Sequence, residues 1–585
     1  MAVTFTEIFW NSEGRNLKKP DLACLRQDAE TYNIMMFQPN HEFSYDNNGI
    51  RSADPDTTHK KFYSFFRLAM EQNVELAIAP EYSCPWSSLE KLIDDNIFPT
   101  QNNVWVVGCE SIKPPELIQF IETKKDVEWI VDQALLTKAL KITPEKFFDP
   151  VCMLLNTFNT NGEVRKVGII QFKTSMFGGS GFQWERDHGI RGETIYVISN
   201  LFASIKLAVI ICSDSLNNPF DFNYIQNGFF HNDPLLLLHI QLNQKPFQSA
   251  YKLYRNQLFS LGDKNYKKEV ICLNWAWRIP ESDDKFWNEY GGSGFYIKSD
   301  KLNLSDDRIN SNHHKGLYYT RWDTAKAHIY FLNYGEHVFF VNTTKVSQSA
   351  ANPTQYSRSG AELRRIYTWE NNWVEQDKAP SDFIPLCESL EVTAGDLQSI
   401  SQAVNYINVE RIVALSAGNI EFVKEWYMPS HLKTMQIKDD EINNRITFTQ
   451  DPANEQKEKR EQLLLKYATL KNIILKNPAN TNSRLQTAEL KYDACNSPDD
   501  YLTNLHSVSD GNKGTGIYLG LQTPANAKAV WESTASLFID YNLRANIFVW
   551  YDFGGQLHKI HGQAAMPKIV DNVSRSITSY KRRTE

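Results

Sequence analysis

The chain has 585 residues, more than one hydrophobic core normally organises, so two or three domains are expected. Hydrophobic residues make up 42% of the sequence and charged residues 22%, a globular composition that excludes the disordered and fibrous classes. The formal net charge of -7 gives no general attraction to phosphate backbones, so nucleic acid is not an expected partner.

Targeting and metal-binding patterns are absent from the sequence. The first residues show no basic region followed by an apolar run, and the longest strongly apolar stretch, 234–240, is too short to span a bilayer. A cytoplasmic protein is therefore expected. The eight cysteines stand singly, without a CxxC pair or a histidine at ligand spacing, so neither a disulfide framework nor a metal site is expected.

Short apolar runs rich in β-branched residues recur through the first 350 residues, and each predicts a strand. Several are apolar without alternation, as in sheets covered on both faces, and segments of helical length lie between some of them, at 59–72 and 247–261. A layered α/β domain is therefore expected. The predicted strands cover residues 32–38, 74–80, 104–108, 151–157, 167–172, 205–211, 234–240, 269–274, 294–297, 327–334 and 337–343.

The character of the sequence changes after about residue 346, where a polar, proline-containing segment begins. The predicted domains are an α/β domain at 1–348, a linker and helical region at 349–460, and a helix plus a small α/β unit at 461–585. The last unit begins with a predicted helix, and such a helix packs on its own domain more often than it binds a helix of a partner protein. The apolar face of that helix carries Leu463, Tyr467, Leu470 and Ile474, and a strand, a helix and a strand are predicted at 516–521, 525–541 and 545–551.

Three charged or reactive side chains stand at the ends of predicted strands, where a sheet delivers side chains into a cleft: Glu81, Lys173 and Cys212. A carboxylate after a buried strand can act as a general base, because burial raises its pKa toward neutrality. A lysine there can hold an anionic intermediate by charge. A thiolate at a strand-to-loop bend can attack a carbonyl or nitrile carbon while the following backbone N–H groups meet the oxyanion.

Each of these residues also has an ordinary structural explanation. Glu81 is equally compatible with a surface acid or with the neighbour of a helix N-cap, and Cys212 with a buried cysteine at a strand end. Arg165 and Lys166 compete with Lys173 for the anion-stabilising role, although a basic pair in a turn after a glycine is more often part of a solvated hairpin.

The order of the three residues is more specific than any one of them. The chain carries APE at 79–81, QFK at 171–173 and IICSD at 210–214, with separations of 92 and 39 residues along the sequence. In this pattern it resembles the nitrilase superfamily, whose members carry a glutamate after a strand ending in proline, then a lysine, then a strand-end cysteine. The resemblance implies Cys212 as nucleophile, Glu81 as general base, and Lys173 as oxyanion partner.

Similar segments extend the resemblance over about residues 30–345. Glu185, in FQWERDHGIRGE, resembles the family's second glutamate and is implied to orient Lys173 or the substrate. The resemblance implies a four-layer α-β-β-α sandwich, here followed by a mixed, helix-rich α+β C-terminal region, and a homo-oligomer. Ser213, Trp184 and Trp275 are assigned to the substrate pocket, although core packing is at least as common an outcome for Trp275. The pocket is expected to be unusual because Ser213 stands where family members commonly have a bulky residue.

The predicted function is cysteine-dependent hydrolysis of a non-peptide C–N bond, in an amide or a nitrile, without a metal or organic cofactor. The C-terminal region is expected to bind a protein partner or shape assembly. One alternative is a nitrilase-like domain that serves as a non-catalytic scaffold in a larger assembly, for example in host defence; another is an unrelated α/β enzyme. GNKGTG at 511–516, the histidines at 313–314 and the aspartates at 499–500 are interpreted as ordinary turns or helix ends.

Overall fold

The structure is a computed structural model, and the chain divides into two compact units. The first comprises Met1–Phe383 and Lys433–Lys457, and the second comprises Ile384–Leu432 and Glu458–Glu585. Among the described residues, no helix combines the length and apolar character needed to cross a membrane. Residues 3–12, 15–26, 31–46, 49–177, 183–201, 205–216, 234–244, 249–260, 268–276, 279–281, 285–286, 292–298, 311–312, 315–322, 327–344, 360–377, 412–419, 454–475, 485, 488–490 and 502–562 are described.

The first unit is built from two large sheets and the helices that cover them. Its described strands are β1 (Thr4–Glu7), β2 (Asn11–Ser12), β3 (Arg15–Asn16), β4 (Thr31–Gln38), β5 (Phe43–Asp46), β6 (Gly49–Ser52), β7 (Leu76–Cys84), β8 (Val104–Cys109), β9 (Val127–Ile130), β10 (Pro150–Phe158), β11 (Val164–Phe172), β12 (Thr194–Ile198), β13 (Lys206–Ile211), β14 (Leu235–Ile240), β15 (Lys268–Leu273), β16 (Pro280–Glu281), β17 (Lys285–Phe286), β18 (Gly294–Lys298), β19 (Leu317–Trp322), β20 (Ala327–Leu332), β21 (His337–Thr344), β22 (Glu362–Trp369) and β23 (Trp373–Gln376). Its described α-helices are α1 (Pro55–Glu71), α2 (Trp86–Asp94), α3 (Pro114–Thr123), α4 (Gln133–Ile142), α5 (Gln183–His188) and α6 (Ser249–Ser260).

The larger sheet has the strand order β23-β22-β21-β4-β7-β8-β10-β11-β9, with β4, β7 and β8 parallel. Helix α1 begins earlier than predicted because Asp54 caps it, accepting a hydrogen bond from Thr57 N at 3.1 Å, and Pro55 suits the first helical position. The helix buries Phe62 and Phe66 in the core beneath it. Apolar residues spaced three and four apart thus cover one face of the sheet.

The smaller sheet has the strand order β1-β12-β13-β14-β15-β18-β20-β19, and its central strands β13, β14 and β15 run parallel. Helix α6 packs against β15, while β7 of the larger sheet lies against β14 and β15. The contacts therefore run from α1 through the two sheets to α6. The predicted α/β class is confirmed, and the strands predicted in the first 350 residues are present with bounds shifted by a few residues.

One local prediction differs at the first reactive residue. The sequence places Glu81 beyond the end of its strand, but β7 continues through Cys84. Because Pro80 has no N–H to donate, the pairing with β8 is irregular between Ala79 and Cys84, and Tyr82 has a φ of 58°. Glu81 therefore lies in an irregular stretch inside the strand.

The larger sheet also continues past residue 348, where the sequence analysis ends the first domain. Strand β22 pairs antiparallel with β21, and β23 follows it at the sheet edge. Trp373 joins the core, since its ring centroid lies 5.0 Å from that of Phe37 and its indole N–H donates to Lys61 O at 3.0 Å. The proposed linker at 349–460 lies largely outside the described residues.

The second unit contains a five-stranded sheet. The predicted strand, helix and strand are present at Lys513–Leu521, Pro524–Leu537 and Ile547–Phe553, and the two strands are parallel. The predicted helix is also present, with Tyr467, Leu470 and Ile474 fully buried. Its described strands are β24 (Ala488–Leu490), β25 (Leu505–Ser507), β26 (Lys513–Leu521), β27 (Ile547–Phe553) and β28 (Gln556–His561). Its described helices include α7 (Asn454–Thr469), which belongs to this unit from Glu458 onward and is continued by a π-helical turn at Leu470–Ile474, α8 (Pro524–Leu537) and α9 (Tyr541–Ala545). GNKGTG lies in the β25–β26 hairpin, whereas 313–314 and 499–500 lie outside the described residues.

Candidate active site

Three of the four residues predicted to act in catalysis form one buried ion network. Lys173 Nζ lies 2.7 Å from Glu81 Oε1 and also contacts Glu185 Oε1. Glu81 is 2% exposed, Lys173 is 1% exposed and Glu185 is 4% exposed, so water screens their attraction weakly. Although burial alone lowers the pKa of Lys173, the carboxylates of Glu185 and Glu81 raise it well above its usual value. The lysine is therefore a fixed positive charge.

Glu81 is held at both its side chain and its backbone. Its Oε2 accepts a hydrogen bond from Leu242 N at 2.8 Å, and its carbonyl oxygen accepts one from Trp275 Nε1 at 2.7 Å. Burial raises the pKa of Glu81 to about 7, with Lys173 opposing that rise and Glu185 adding to it. A carboxyl group with such a pKa can gain and lose a proton near neutral pH.

Cys212 lies directly after β13 and begins a short 3-10 helix, Cys212–Leu216. Its thiol lies 3.8 Å from Leu242 O, so Cys212 and Glu81 contact the two ends of one residue's backbone. Burial raises the pKa of the Cys212 thiol well above its usual value; Glu81 raises it further and Lys173 lowers it. The four predicted residues therefore lie in one buried cluster.

Asp214 joins the two loops that carry Lys173 and Cys212. Its Oδ1 accepts hydrogen bonds from Thr174 N at 2.7 Å and from Ser175 N at 2.9 Å. Its Oδ2 accepts one from Ile211 N at 2.9 Å. One buried carboxylate thus fixes the end of β11 in the larger sheet relative to the end of β13 in the smaller one.

Asp149 is a further buried acid that the sequence analysis did not identify. It accepts hydrogen bonds from the hydroxyls of Tyr82 and Ser111, and its carbonyl accepts one from Lys173 N at 2.9 Å. Burial raises its pKa well above the usual value. The feature that could have identified Asp149 is the register of the β10–β11 hairpin, in which Pro150 pairs with Phe172. Counting one residue further places Asp149 opposite Lys173.

Two more side chains near the nucleophile were also missed. Tyr251, on α6, lies close to the Cys212 thiol and opposes the rise in the thiol pKa. His239 lies 3.0 Å from Cys212 O through its Nε2. His239 had a sequence signal, since it is the lone polar residue in the apolar strand LLLLHI. Tyr251 had none, because it lies in an ordinary helical segment.

The three residues assigned to the pocket have other partners. Trp275 is fully buried, with its indole N–H on Glu81, and its ring centroid lies 4.5 Å from that of His41. Trp184 is partly buried and stacks on Phe147 at 5.1 Å between centroids. The Ser213 hydroxyl donates to a backbone carbonyl, so this side chain supports the loop.

The basic pair that competed with Lys173 lies away from this network. Arg165 pairs with Glu163 at 2.7 Å, and Lys166 pairs with Asp126 at 2.7 Å. Both are on β11 near its hairpin turn, and their acidic partners are exposed. Lys173 is the lysine that faces the buried carboxylates.

No protein-family model matches the sequence, and no curated protein matches it. Solved structures with a similar fold include the following three. A mutant amidase from Nesterenkonia sp. AN1, with an acetamide moiety on its active-site cysteine, is 14% identical, with a TM-score of 0.28, over 46% of this chain and 82% of that one. A CN-hydrolase superfamily protein from Xanthomonas campestris is 12% identical, with a TM-score of 0.30, over 56% and 94%.

The third structure is a glutamine-dependent NAD(+) synthetase from Cytophaga hutchinsonii. It is 8% identical, with a TM-score of 0.24, and the match covers 89% of this chain and 65% of that one. Likeness of this degree concerns the fold alone.

Proposed function

We propose that this chain is a cysteine-dependent hydrolase of a non-peptide C–N bond in an amide or nitrile. The observation that carries the proposal is the buried contact of Lys173 with both Glu81 and Glu185, next to the Cys212 thiol. Burying three charged side chains costs free energy, and such clusters with shifted pKa values are found more often at functional sites than elsewhere. Nucleophile, base and cation together match the requirements of acyl transfer.

The first half of the reaction forms a thioester. Ionised Glu81 accepts the thiol proton, and the Cys212 thiolate attacks the amide carbon. The oxygen becomes an anion, which Lys173 and the Ser213 backbone N–H stabilise. Protonated Glu81 then gives its proton to the leaving nitrogen, the C–N bond breaks, and ammonia or an amine departs.

The second half returns the free thiol. Glu81 takes a proton from water, and the hydroxide attacks the thioester carbon. The bond between carbon and sulfur then breaks, the thiolate regains a proton from Glu81, and a carboxylic acid leaves. Glu185 keeps Lys173 in place through both halves, and Asp214 keeps the loops of Lys173 and Cys212 together.

A panel of aliphatic and aromatic amides and nitriles tests this proposal. Ammonia release is measured for each compound, and acid-quenched samples are analysed by intact mass and peptide mapping. We expect ammonia from at least one compound and an acyl adduct on Cys212. A panel without ammonia release and without any adduct would favour the non-catalytic scaffold alternative.

The pH dependence of hydrolysis gives a test of Glu81. Because its pKa is raised to about 7, Glu81 holds a proton below that pH and cannot act as a base, so the hydrolysis rate should rise through about pH 7. Glu81→Gln should lower hydrolysis at pH 8 by about 100-fold or more and remove the inflection. The rate of the best amide in the panel is measured from pH 5 to 9.

Glu110→Gln is the matched control for this test. Burial raises the pKa of Glu110 to about 7 as well, but its carboxylate accepts from Ser52 N at 2.7 Å instead of facing Lys173. This variant should keep the rate and the inflection. A Glu81→Gln protein that retains the inflection, or a Glu110→Gln protein that loses it, would contradict the assignment of the base.

A further inference from the structure

A buried polar chain lies behind the nucleophile. His239 Nε2 is 3.0 Å from Cys212 O, and His239 Nδ1 is 2.7 Å from the Tyr254 hydroxyl. Cys272 Sγ lies 3.7 Å from the same hydroxyl and 3.5 Å from Arg255 Nη1. All four side chains are buried within the smaller sheet and α6.

The chemistry of these contacts fixes the tautomer of His239. Burial lowers the pKa of His239 to about 3, so the ring is neutral and carries one N–H. A carbonyl oxygen can only accept, so the proton must be on Nε2, which donates to Cys212 O. Nδ1 then accepts from the Tyr254 hydroxyl. The imidazole is therefore a fixed donor aimed at the nucleophile's own carbonyl.

That carbonyl belongs to the same rigid unit as the proposed oxyanion donor. The peptide bond holds Cys212 C=O and Ser213 N–H in one plane, pointing in opposite directions. A donor on the carbonyl end therefore sets the direction of the N–H end. The Ser215 hydroxyl also donates to Cys212 O, at 3.0 Å, so two donors fix this plane.

The backbone of Cys212 requires such support. Its φ is 40°, in the left-handed region that residues with a side chain adopt only at an energetic cost. Conformations of this kind persist where the surroundings hold them in place. We propose that His239 is a positioning residue, which fixes the Cys212–Ser213 peptide plane and so aims Ser213 N–H at the oxyanion. This inference rests on the hydrolase function proposed above.

Two probes separate oxyanion binding from thiol reactivity without a known substrate. Butyraldehyde adds to the Cys212 thiolate; the C–S bond forms, and the carbonyl electron pair moves to the oxygen, which occupies the oxyanion position. Iodoacetamide alkylates the thiolate and expels iodide without forming an oxyanion. Protection of Cys212 from iodoacetamide by butyraldehyde therefore measures how well the backbone and side-chain donors stabilise the oxyanion. The labelling rate without butyraldehyde measures the reactivity of the thiol.

His239→Leu removes the donor and should weaken butyraldehyde protection by about 100-fold, as for the loss of an oxyanion donor, while the unprotected labelling rate changes by less than about threefold. His239→Gln keeps an N–H and should recover at least about tenfold of that loss. Tyr254→Phe removes only the hydroxyl that holds Nδ1, so it should weaken protection by an intermediate factor even where His239→Leu fails to fold.

His337→Leu is the matched control, because His337 is also a buried histidine, on β21 of the other sheet. It should leave both readouts unchanged. Unchanged protection in His239→Leu, or parallel loss of protection and labelling, would overturn the positioning role. A wild-type protein that shows aldehyde protection but hydrolyses nothing in the panel would count against the hydrolase function and leave the role of His239 intact.

Discussion

Cys212→Ala is expected to abolish amide hydrolysis, with a loss of about 10⁴-fold or more, because the covalent route through the thioester has no other nucleophile at this position. The fold should persist, since the substitution removes one sulfur atom and keeps the β-carbon. Ammonia release from the best amide in the panel measures the effect, and intact mass should show no acyl adduct.

Cys109→Ala is the matched control for the nucleophile. Cys109 is also buried, but its thiol contacts Val107 O within the larger sheet. This variant should hydrolyse at nearly the wild-type rate. If Cys212→Ala hydrolysed amides as fast as the wild type, the enzyme interpretation itself would be wrong, whatever the result for Cys109.

The positions of the main reactive residues at or near strand ends made them candidates, and the resemblance carried by their order along the chain selected them. Glu81, Lys173 and Cys212 each come at or near a strand end, and parallel strands such as β7 and β8 deliver such residues to one edge of a sheet. Glu185 depended on the resemblance alone, since a glutamate in a short helix has no individual signal.

The contacts that support those residues could not be predicted in the same way. Leu242 contributes only its backbone N–H and carbonyl, so its side chain gives no signal. Tyr251 reaches Cys212 from α6 through the packing of a helix on the sheet, and that packing is not encoded in local spacing. Asp149 was accessible from the hairpin register, which requires counting pairs from the turn.

The extent of the larger sheet was underestimated for a different reason. A polar segment at 347–359 separates β21 from β22, and local composition there resembles a domain boundary. Whether a chain returns to a sheet depends on tertiary pairing, which here is the antiparallel register of Val338 with Tyr367. The sheet gains two strands that hydrophobic patterning alone assigns to another region.

Lys173→Met is expected to destabilise the first unit by about 3–5 kcal/mol, because it leaves two buried carboxylates without their cation. Glu81 and Glu185 lose the contacts that hold their negative charge. Urea unfolding of the full chain, followed by tryptophan fluorescence, measures the change. Hydrolysis should also fall by about 100-fold or more, since the oxyanion loses its cation.

The destabilisation should depend on pH with a definite sign. Without Lys173, the pKa of Glu81 rises above its already raised value, so the folded chain binds more protons than the unfolded chain near neutral pH. The contribution of Glu81 to the stability of the variant is therefore largest below its unfolded-state pKa and is lost as pH rises through the raised pKa of the folded state. The deficit relative to the wild type should be larger at pH 8 than at pH 5.

Lys124→Met is the matched control, since the Lys124 side chain is also largely buried, 8% exposed against 1% for Lys173, but pairs with Glu90 and Asp94, which are 51% and 55% exposed. Its partners can be solvated by water, so the loss should be about 1 kcal/mol or less and nearly independent of pH. Equal losses for the two lysines would contradict the buried-network interpretation.

Neutralising the stranded acids distinguishes electrostatic repulsion from lost packing. In a Lys173→Met chain that also carries Glu81→Gln and Glu185→Gln, no buried charge remains in the network, and most of the lost stability should return. Hydrolysis should stay absent, because neither the base nor the oxyanion cation is present. If the stability failed to return, the loss would be due to packing around Lys173. If hydrolysis returned, neither Glu81 nor Lys173 would take part in the chemistry.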